Sequence, residues 1–331
     1  MDRILLGHGS GGKMMHQLIR EYFSPAFGIE GAGDSAFVNV PSKRLAYTTD
    51  SYVVTPLFFP GGNIGDLAVC GTVNDLAVAG AEPLFLTAGF IIEEGFPLAD
   101  LKTIIASMAA AAKLAQVRIV AGDTKVVNKG KADGVFINTS GVGVLRDGVE
   151  IAALRIKAGD KVIISGEVGN HGVAILAERN GLTFQPPVQT DSRPLHDLVK
   201  KMLEVTSDIH FMRDPTRGGL ATTLKEAALE SGLCIKIREN ALPIPPQVKG
   251  ACGLLGLDPL YVANEGILIA ILDNRHADAV VRAMKNHSFG RNTVIIGDVV
   301  EAPAGMVLLE TAIGGSRIID MLPGEQLPRI C

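Results

Sequence analysis

The stretch from Pro83 to Ala121 restricts the fold of this chain more than any other. A long apolar run, Pro83 to Ile92, is punctuated by Gly89 and halts at Glu93-Glu94. An alanine-rich segment of helical period, Leu98 to Ala115, comes next, and Val117-Arg118-Ile119-Val120-Ala121 again has strand character. Strand, covering helix and strand in that order define an α/β unit, because the apolar run needs a helix laid over it to be buried. The rest of the chain fits the same scheme. Arg44 to Thr49 and Val135 to Leu145 are expected strands and Ile64 to Ala79 a helix. The chain turns polar around Ile151 to Gly159 and restarts with the strand Lys161 to Ser165 and a helix reaching Arg179. A helix over about Leu220 to Ser231 and a strand over Ile267 to Leu272 follow. At 331 residues there is room for two α/β domains with substantial cores. The expected division is a glycine-rich loop and helix (1–33), an N-terminal domain (34–150), a C-terminal domain (151–311) and an extended tail (312–331).

Composition narrows the function. With 47% hydrophobic and 20% charged residues and a formal net charge of -4, there is no basic excess, so neither nucleic acid nor an anionic membrane is an expected partner. The opening residues Met1 to Leu6 run straight into glycines and no apolar run is long enough to span a bilayer, which predicts a cytoplasmic protein. Cys70, Cys234, Cys252 and Cys331 are widely spaced and form no paired zinc knuckle. Cys331 stands apart because it is the last residue of Pro328-Arg329-Ile330-Cys331, after a glycine- and proline-rich approach that disfavours helix. A thiol on an extended arm can be swung or docked, and the arm from Leu322 onward spans about 33 Å at ~3.3 Å per residue.

The polar motifs sit at the ends of the apolar elements. Gly7-His8-Gly9-Ser10-Gly11-Gly12-Lys13 can bring backbone N–H groups to phosphates, but Met14 occupies the position where a P-loop needs a hydroxyl for magnesium. Asp50 is expected at the carboxyl end of its strand, Asp75 within an otherwise apolar helix, and Asp123 in the turn Gly122-Asp123-Thr124-Lys125. Three hard carboxylates of this kind suit magnesium bridging to nucleotide phosphates. Arg213-Asp214-Pro215-Thr216-Arg217-Gly218-Gly219, leading into a helix, forms a candidate anion site, with Asp214 or Thr216 read equally well as a helix cap. His171 is a helix-start or packing residue or a ligand contact, and Glu265 in Ala263-Asn264-Glu265-Gly266 is the best acid–base candidate.

Together these pieces resemble the HypE family of hydrogenase maturation factors, within the PurM-like superfamily of ATP-dependent enzymes shared with aminoimidazole ribonucleotide synthetase. The resemblance runs through GHGSGGK, TDSY at 48–51, FFPGGNIG at 58–65, NDLAVAG at 74–80, GDTKVV at 122–127, RDPTRGG at 213–219, NEG at 264–266 and the terminal PRIC, which is the most specific. It implies a two-domain fold whose N-terminal sheets pair into a dimeric, barrel-like core. It also implies ATP and Mg2+ as cofactors, with Gly9, Gly11, Gly12 and Lys13 closing over the phosphates and Asp50, Asp75 and Asp123 around the metal. The implied chemistry is dehydration of a carbamoyl group carried on Cys331 to an S-cyano group, with Glu265 and Lys125 moving protons or offsetting charge. A HypF carbamoyltransferase would load the thiol, and a HypC–HypD iron scaffold would receive the cyanide. The alternative is a related kinase or synthetase acting on a free small molecule.

Overall fold

The computed structural model describes residues 3–5, 8, 13–28, 44–321 and 330, with the side chains of Lys13, Met15 and His16 left aside. Gly9, Gly11, Gly12 and Cys331, and the side chain of Lys13, therefore lie outside the described residues. The first helical segment, α1 (Lys13–Leu18), continues through a π-helical stretch (Ile19–Phe23) into α2 (Ser24–Phe27). Phe23 seats this segment edge-on against Phe90, with ring centroids 5.0 Å apart.

The N-terminal domain contains β1 (Leu45–Tyr52), the short hairpin β2 (Phe58–Phe59) and β3 (Gly62–Asn63), α3 (Ile64–Val78), β4 (Ala81–Glu93), α4 (Leu98–Leu114), β5 (Arg118–Val127) and β6 (Val135–Leu145). Its four-stranded sheet has the order β1-β6-β4-β5. The crossover through α4 makes β4 and β5 parallel, while β6 runs antiparallel to both β4 and β1. Side chains alternate along each strand, so one face of the sheet meets α3 and α4. The other face leaves Tyr47 and Ile91 exposed. A reciprocal cap starts α3: Asn63 accepts from the Gly65 N–H at 2.8 Å, and Asp66 accepts from the Asn63 N–H at 2.7 Å.

The second domain comprises β7 (Lys161–Ile164), α5 (Asn170–Asn180), α6 (His196–Val205), β8 (Ile209–Arg213), α7 (Gly219–Ser231), β9 (Cys234–Arg238), α8 (Pro246–Leu255), β10 (Ile269–Leu272), α9 (Asn274–Lys285), β11 (Val294–Val300), β12 (Val307–Glu310) and β13 (Ser316–Ile319). Its seven-stranded sheet has the order β13-β12-β9-β11-β7-β10-β8. Helices cover both faces, which explains why β10 is apolar at every position and β7 from Val162 to Ile164. Val162 and Ile164 pack with Leu220 and Leu224 of α7, whereas Ile163 packs with Met202 of α6 and Met284 of α9.

The domains meet along α3, which is apolar all round because it is buried all round. Ala77 and Val78 join the C-terminal cluster formed by α6 and α9. Asn74, fully buried, fastens the contact: its amide donates to the carbonyls of Arg193 and Glu265, both at 3.1 Å, and its carbonyl accepts from the Leu195 N–H at 2.8 Å.

Three local expectations change. Asp50 lies inside β1 rather than at its end, because β6 keeps pairing as far as Tyr52 opposite Ile137. Asp123 and Lys125 lie within β5 rather than in a turn, since β4 pairs in register from Gly89 opposite Asp123 to Glu93 opposite Val127. The segment from 312 begins as a hairpin: Gly314, at φ +88, turns the chain and β13 pairs with β12. Beyond it, the Tyr261 hydroxyl holds the Asp320 carbonyl at 2.8 Å.

Candidate active site

A cleft of about 500 Å³ opens between the domains, and its floor is acidic. Four elements supply the carboxyls. On β1, alternation turns Thr48, Asp50 and Tyr52 toward α3 and Thr49 and Ser51 to the exposed face. From α3 comes Asp75, whose Oδ2 accepts the Thr48 hydroxyl at 2.7 Å. Asp214 follows the last residue of β8, and Glu265 sits in the loop before β10. Arg213, Thr216, Arg217 and Thr223 line the opposite side, around the start of α7, with Arg213 paired to Glu226 at 2.5 Å. This wall supplies cationic groups and a helix N-terminus, a combination suited to phosphates.

The Tyr52 hydroxyl donates to Asp50 Oδ2 at 3.3 Å. It reaches this place by crossing α3 where the helix has no side chain, since a Cβ at Gly71 would stand 2.2 Å from the hydroxyl oxygen. Burial, reinforced by Asp50 and Glu265, holds the phenol well above its ordinary range.

Burial and mutual repulsion govern the carboxyls. Asp75 is pushed up to about 7 by burial first and then by Asp214 and Asp50, with the Thr48 hydroxyl opposing the rise. Asp214 rises to about 6 through burial, with Asp50 adding and Arg213 opposing. Glu265 is held well above the ordinary carboxyl range, by burial first and then by Asp214, Asp191, Asp50 and Asp75. Its Oε1 has no hydrogen-bond partner among the described residues, and an unpaired polar atom at such depth is expensive unless a ligand uses it.

The loop carrying Glu265 is held by its backbone. Asp191, itself buried, accepts from the Glu265 N–H at 3.2 Å and the Gly266 N–H at 3.0 Å. The chains approach so closely here that a Cβ on Gly266 would collide with the Asp191 carbonyl. Asn264 donates to the Pro215 carbonyl at 2.9 Å, tying this loop to Asp214 and its neighbours.

The fold thus brings together Asp50, Asp75 and Glu265, as expected, but adds Asp214 and leaves out Asp123 and Lys125. Register explains the separation. Asp123 lies opposite Gly89, Gly89 opposite Asn138, and Asn138 opposite Ser51, so Asp123 shares the face of Ser51, the opposite face from Asp50. Three strand spacings also intervene, roughly 14 Å at ~4.8 Å each. Asp123 and Lys125 are exposed and paired with each other at 3.2 Å. Within one chain, with Asp123 apart from them, the aspartates that converge on the cleft are therefore Asp50, Asp75 and Asp214. These are hard oxygen donors whose repulsion a divalent cation relieves. Among the described residues, no group of three His, Cys, Asp or Glu side chains could by itself hold a metal ion.

His171, expected only as a packing residue or ligand contact, is fully buried. Its Nε2 lies 2.9 Å from the carbonyl oxygen of Ile330, the residue before Cys331. The next N–H along the helix, that of Gly172, donates to the Ala263 carbonyl at 3.1 Å, two residues from Glu265. The end of the chain is thereby anchored beside the loop that carries the acid.

Known proteins resemble this chain in sequence and fold. Residues 32–145 match the family described as AIR synthase related protein, N-terminal domain, and residues 157–309 match its C-terminal domain. The carbamoyl dehydratase HypE of Bradyrhizobium diazoefficiens is 55% identical over 331 residues, covering 98% of this chain and 95% of the relative. The chain belongs to the HypE family. A crystal structure of a HypE in complex with ATP superposes with a TM-score of 0.95 at 46% identity, covering 99% of both chains. The HypE of a HypE–HypF complex superposes with a TM-score of 0.82 at 47% identity, covering 92% of this chain and 99% of that one. Among the described residues, no helix is long and apolar enough to cross a membrane.

Proposed function

We propose that this HypE-family chain is an ATP-dependent carbamoyl dehydratase that converts an S-carbamoyl group on Cys331 to an S-cyano group, supplying cyanide for the iron centre of [NiFe]-hydrogenase. The observation that carries this reading is the anchoring of Ile330, which His171 holds beside the loop whose Glu265 lines the acidic cleft between the domains. A kinase acting on a free small molecule has no use for that anchor.

The reaction needs an oxygen removed from an amide-like carbon. The carbamoyl oxygen attacks the γ-phosphorus of ATP and ADP leaves; one N–H proton is lost, giving a phosphorylated imidate. Phosphate then departs with the C–O bonding pair, the second N–H proton is lost, and the nitrile remains on sulfur. Glu265 is suited to the proton steps, because a carboxyl of raised proton affinity is a stronger base toward N–H than an exposed one, and its Oε1 is unengaged by the described residues. Arg213, Arg217 and the start of α7 face the developing charge on the phosphoryl oxygens. Asp50, Asp75 and Asp214 would hold Mg2+ delivered with ATP, which offsets phosphate charge when bound. Gly9, Gly11, Gly12 and Lys13 are proposed to close over the phosphates.

The uncovered face of the N-terminal sheet, with Tyr47 72% exposed, is the proposed homodimer surface. Asp123 and Lys125 lie on that face and serve only in the paired assembly. A HypF-like carbamoyltransferase is the proposed loading partner, consistent with the HypE–HypF complex, and a HypC–HypD iron scaffold the proposed acceptor. The test is the intact mass of the chain, mapped to its terminal peptide, after incubation with the carbamoyltransferase, carbamoyl phosphate and Mg-ATP. Carbamoyl addition at Cys331 followed by loss of one water is expected with ATP and not with a non-hydrolysable analogue. Loss of water elsewhere, or none, refutes the reading and turns the search to small-molecule phosphoryl acceptors.

A further inference from the structure

Hydrogen-bond direction around His171 shows how the chain end is held. The Ile330 carbonyl can only accept, so His171 Nε2, at 2.9 Å, carries the proton. A neutral ring then accepts at Nδ1, where the Thr190 hydroxyl lies at 2.7 Å and donates. The Thr190 oxygen in turn accepts from the Ser192 N–H at 3.1 Å. All three bonds run in one direction, from Ser192 through Thr190 and His171 to Ile330, so the hydroxyl fixes the tautomer that grips the tail. The ring is fully buried, and the Phe59 ring stands edge-on to it with centroids 5.6 Å apart, which limits its rotation. Burial lowers the proton affinity of the imidazole, in keeping with the neutral form.

The same segment reaches the acid. Thr190 is followed by Asp191, whose carboxylate holds the backbone N–H groups of Glu265 and Gly266, while the Thr190 N–H is fastened to the Pro60 carbonyl of the N-terminal domain at 2.8 Å. We infer that His171 is a positioning residue for the dehydration step: through its Nε2–H it seats the Ile330 carbonyl, and through Thr190 and Asp191 it keeps that seat in register with Glu265. This rests on the dehydratase reading above. The imidazole touches no reacting atom. It sets how often the loaded arm adopts the reactive pose, and it is not needed for loading or for ATP binding.

The experiment uses full-length protein loaded at Cys331 by the carbamoyltransferase. Loss of water in a single turnover with Mg-ATP is followed by intact mass for the wild type, His171→Phe, His171→Gln and Thr190→Val. His171→Phe keeps a planar ring but leaves a buried carbonyl without a donor, and a slowing of roughly 10- to 100-fold is expected. His171→Gln offers an amide N–H near the place of Nε2 and recovers the rate to within about threefold of wild type, while Thr190→Val, which loosens the tautomer and releases the Ser192 N–H but keeps the imidazole, falls between the two. Loading and ATP affinity stay level across all four, a pattern that general structural damage does not produce. The assignment is overturned if His171→Phe matches wild type, or if Phe and Gln fall equally. Should His171→Phe not bind ATP, the other pair decides: His171→Gln must be faster than Thr190→Val. A wild-type chain that loads but loses no water refutes the dehydratase reading itself, and is distinguished from these outcomes by the wild-type arm alone.

Discussion

Replacing Asp75 with Asn removes a charge that the cleft holds at a cost. The carboxyl is raised from 3.8 to about 7 in the folded chain, by burial first and by Asp214 and Asp50 next. Below pH 3.8 both folded and unfolded chains are protonated there, and Asp75 costs nothing. As pH rises the unfolded chain ionises first, so stability falls at ~1.4 kcal/mol per pH unit until the folded carboxyl also ionises near pH 7. Three units give about 4 kcal/mol, and water at the open side of the cleft reduces this to ~2 kcal/mol. Asn keeps an acceptor for the Thr48 hydroxyl without the charge. In urea unfolding with a chelator present, Asp75→Asn should be more stable than wild type by ~2 kcal/mol at pH 8, and by about a third of that at pH 5. The same variant should lose dehydration activity. A pH-independent difference, or a less stable variant at pH 8, refutes the claim that burial and neighbouring carboxyls make this charge costly.

Other outcomes follow from the same geometry. Glu265→Gln should accept the carbamoyl group normally but lose water ~10²- to 10⁴-fold more slowly, seen as accumulated carbamoyl mass on Cys331. Asn74→Ala removes three interdomain hydrogen bonds, and unfolding should shift by ~3 kcal/mol, with the urea transition losing its single-step form. If Asp123 completes the cleft of a paired copy, a heterodimer of Asp75→Asn and Asp123→Asn chains rebuilds one intact site. Mixed dimers isolated with two affinity tags should then show about half the wild-type turnover while the Asp123→Asn homodimer shows none, whereas sites contained within single chains leave the Asp123→Asn homodimer at full turnover.

Much of this arrangement was legible in the residues. The apolar run at 83–92, the alanine-rich helix and the apolar surroundings of Asp75 placed β4, α4 and a buried α3 with near-correct bounds, because apolar runs and helical period are local signals, even though β4 is covered on one face only. Face assignment was harder. Asp50 and Asp123 both follow short apolar runs, but which side each faces depends on pairing with β6 and β4, and a one-residue difference in register reverses it. Asp214 stood inside a motif already singled out, yet an Asp before a Pro at a helix start reads equally well as a cap. Nothing local marks Asp191, and Asn74, although it heads NDLAVAG beside Asp75, gives no local sign of its partners, since both act on backbone groups brought near by the fold. His171 had a local reading as a helix-start residue, and only the position of Ile330, far along the chain, gives it a partner.

The central claim is that the carbamoyl oxygen leaves on phosphorus, and an isotope follows it directly. Chain loaded at Cys331 with oxygen-18 in the carbamoyl carbonyl, given Mg-ATP in ordinary water, should release inorganic phosphate carrying one labelled oxygen per nitrile formed. Unlabelled phosphate, with the label appearing in solvent water, would show that ATP hydrolysis and dehydration are separate events and would contradict the mechanism.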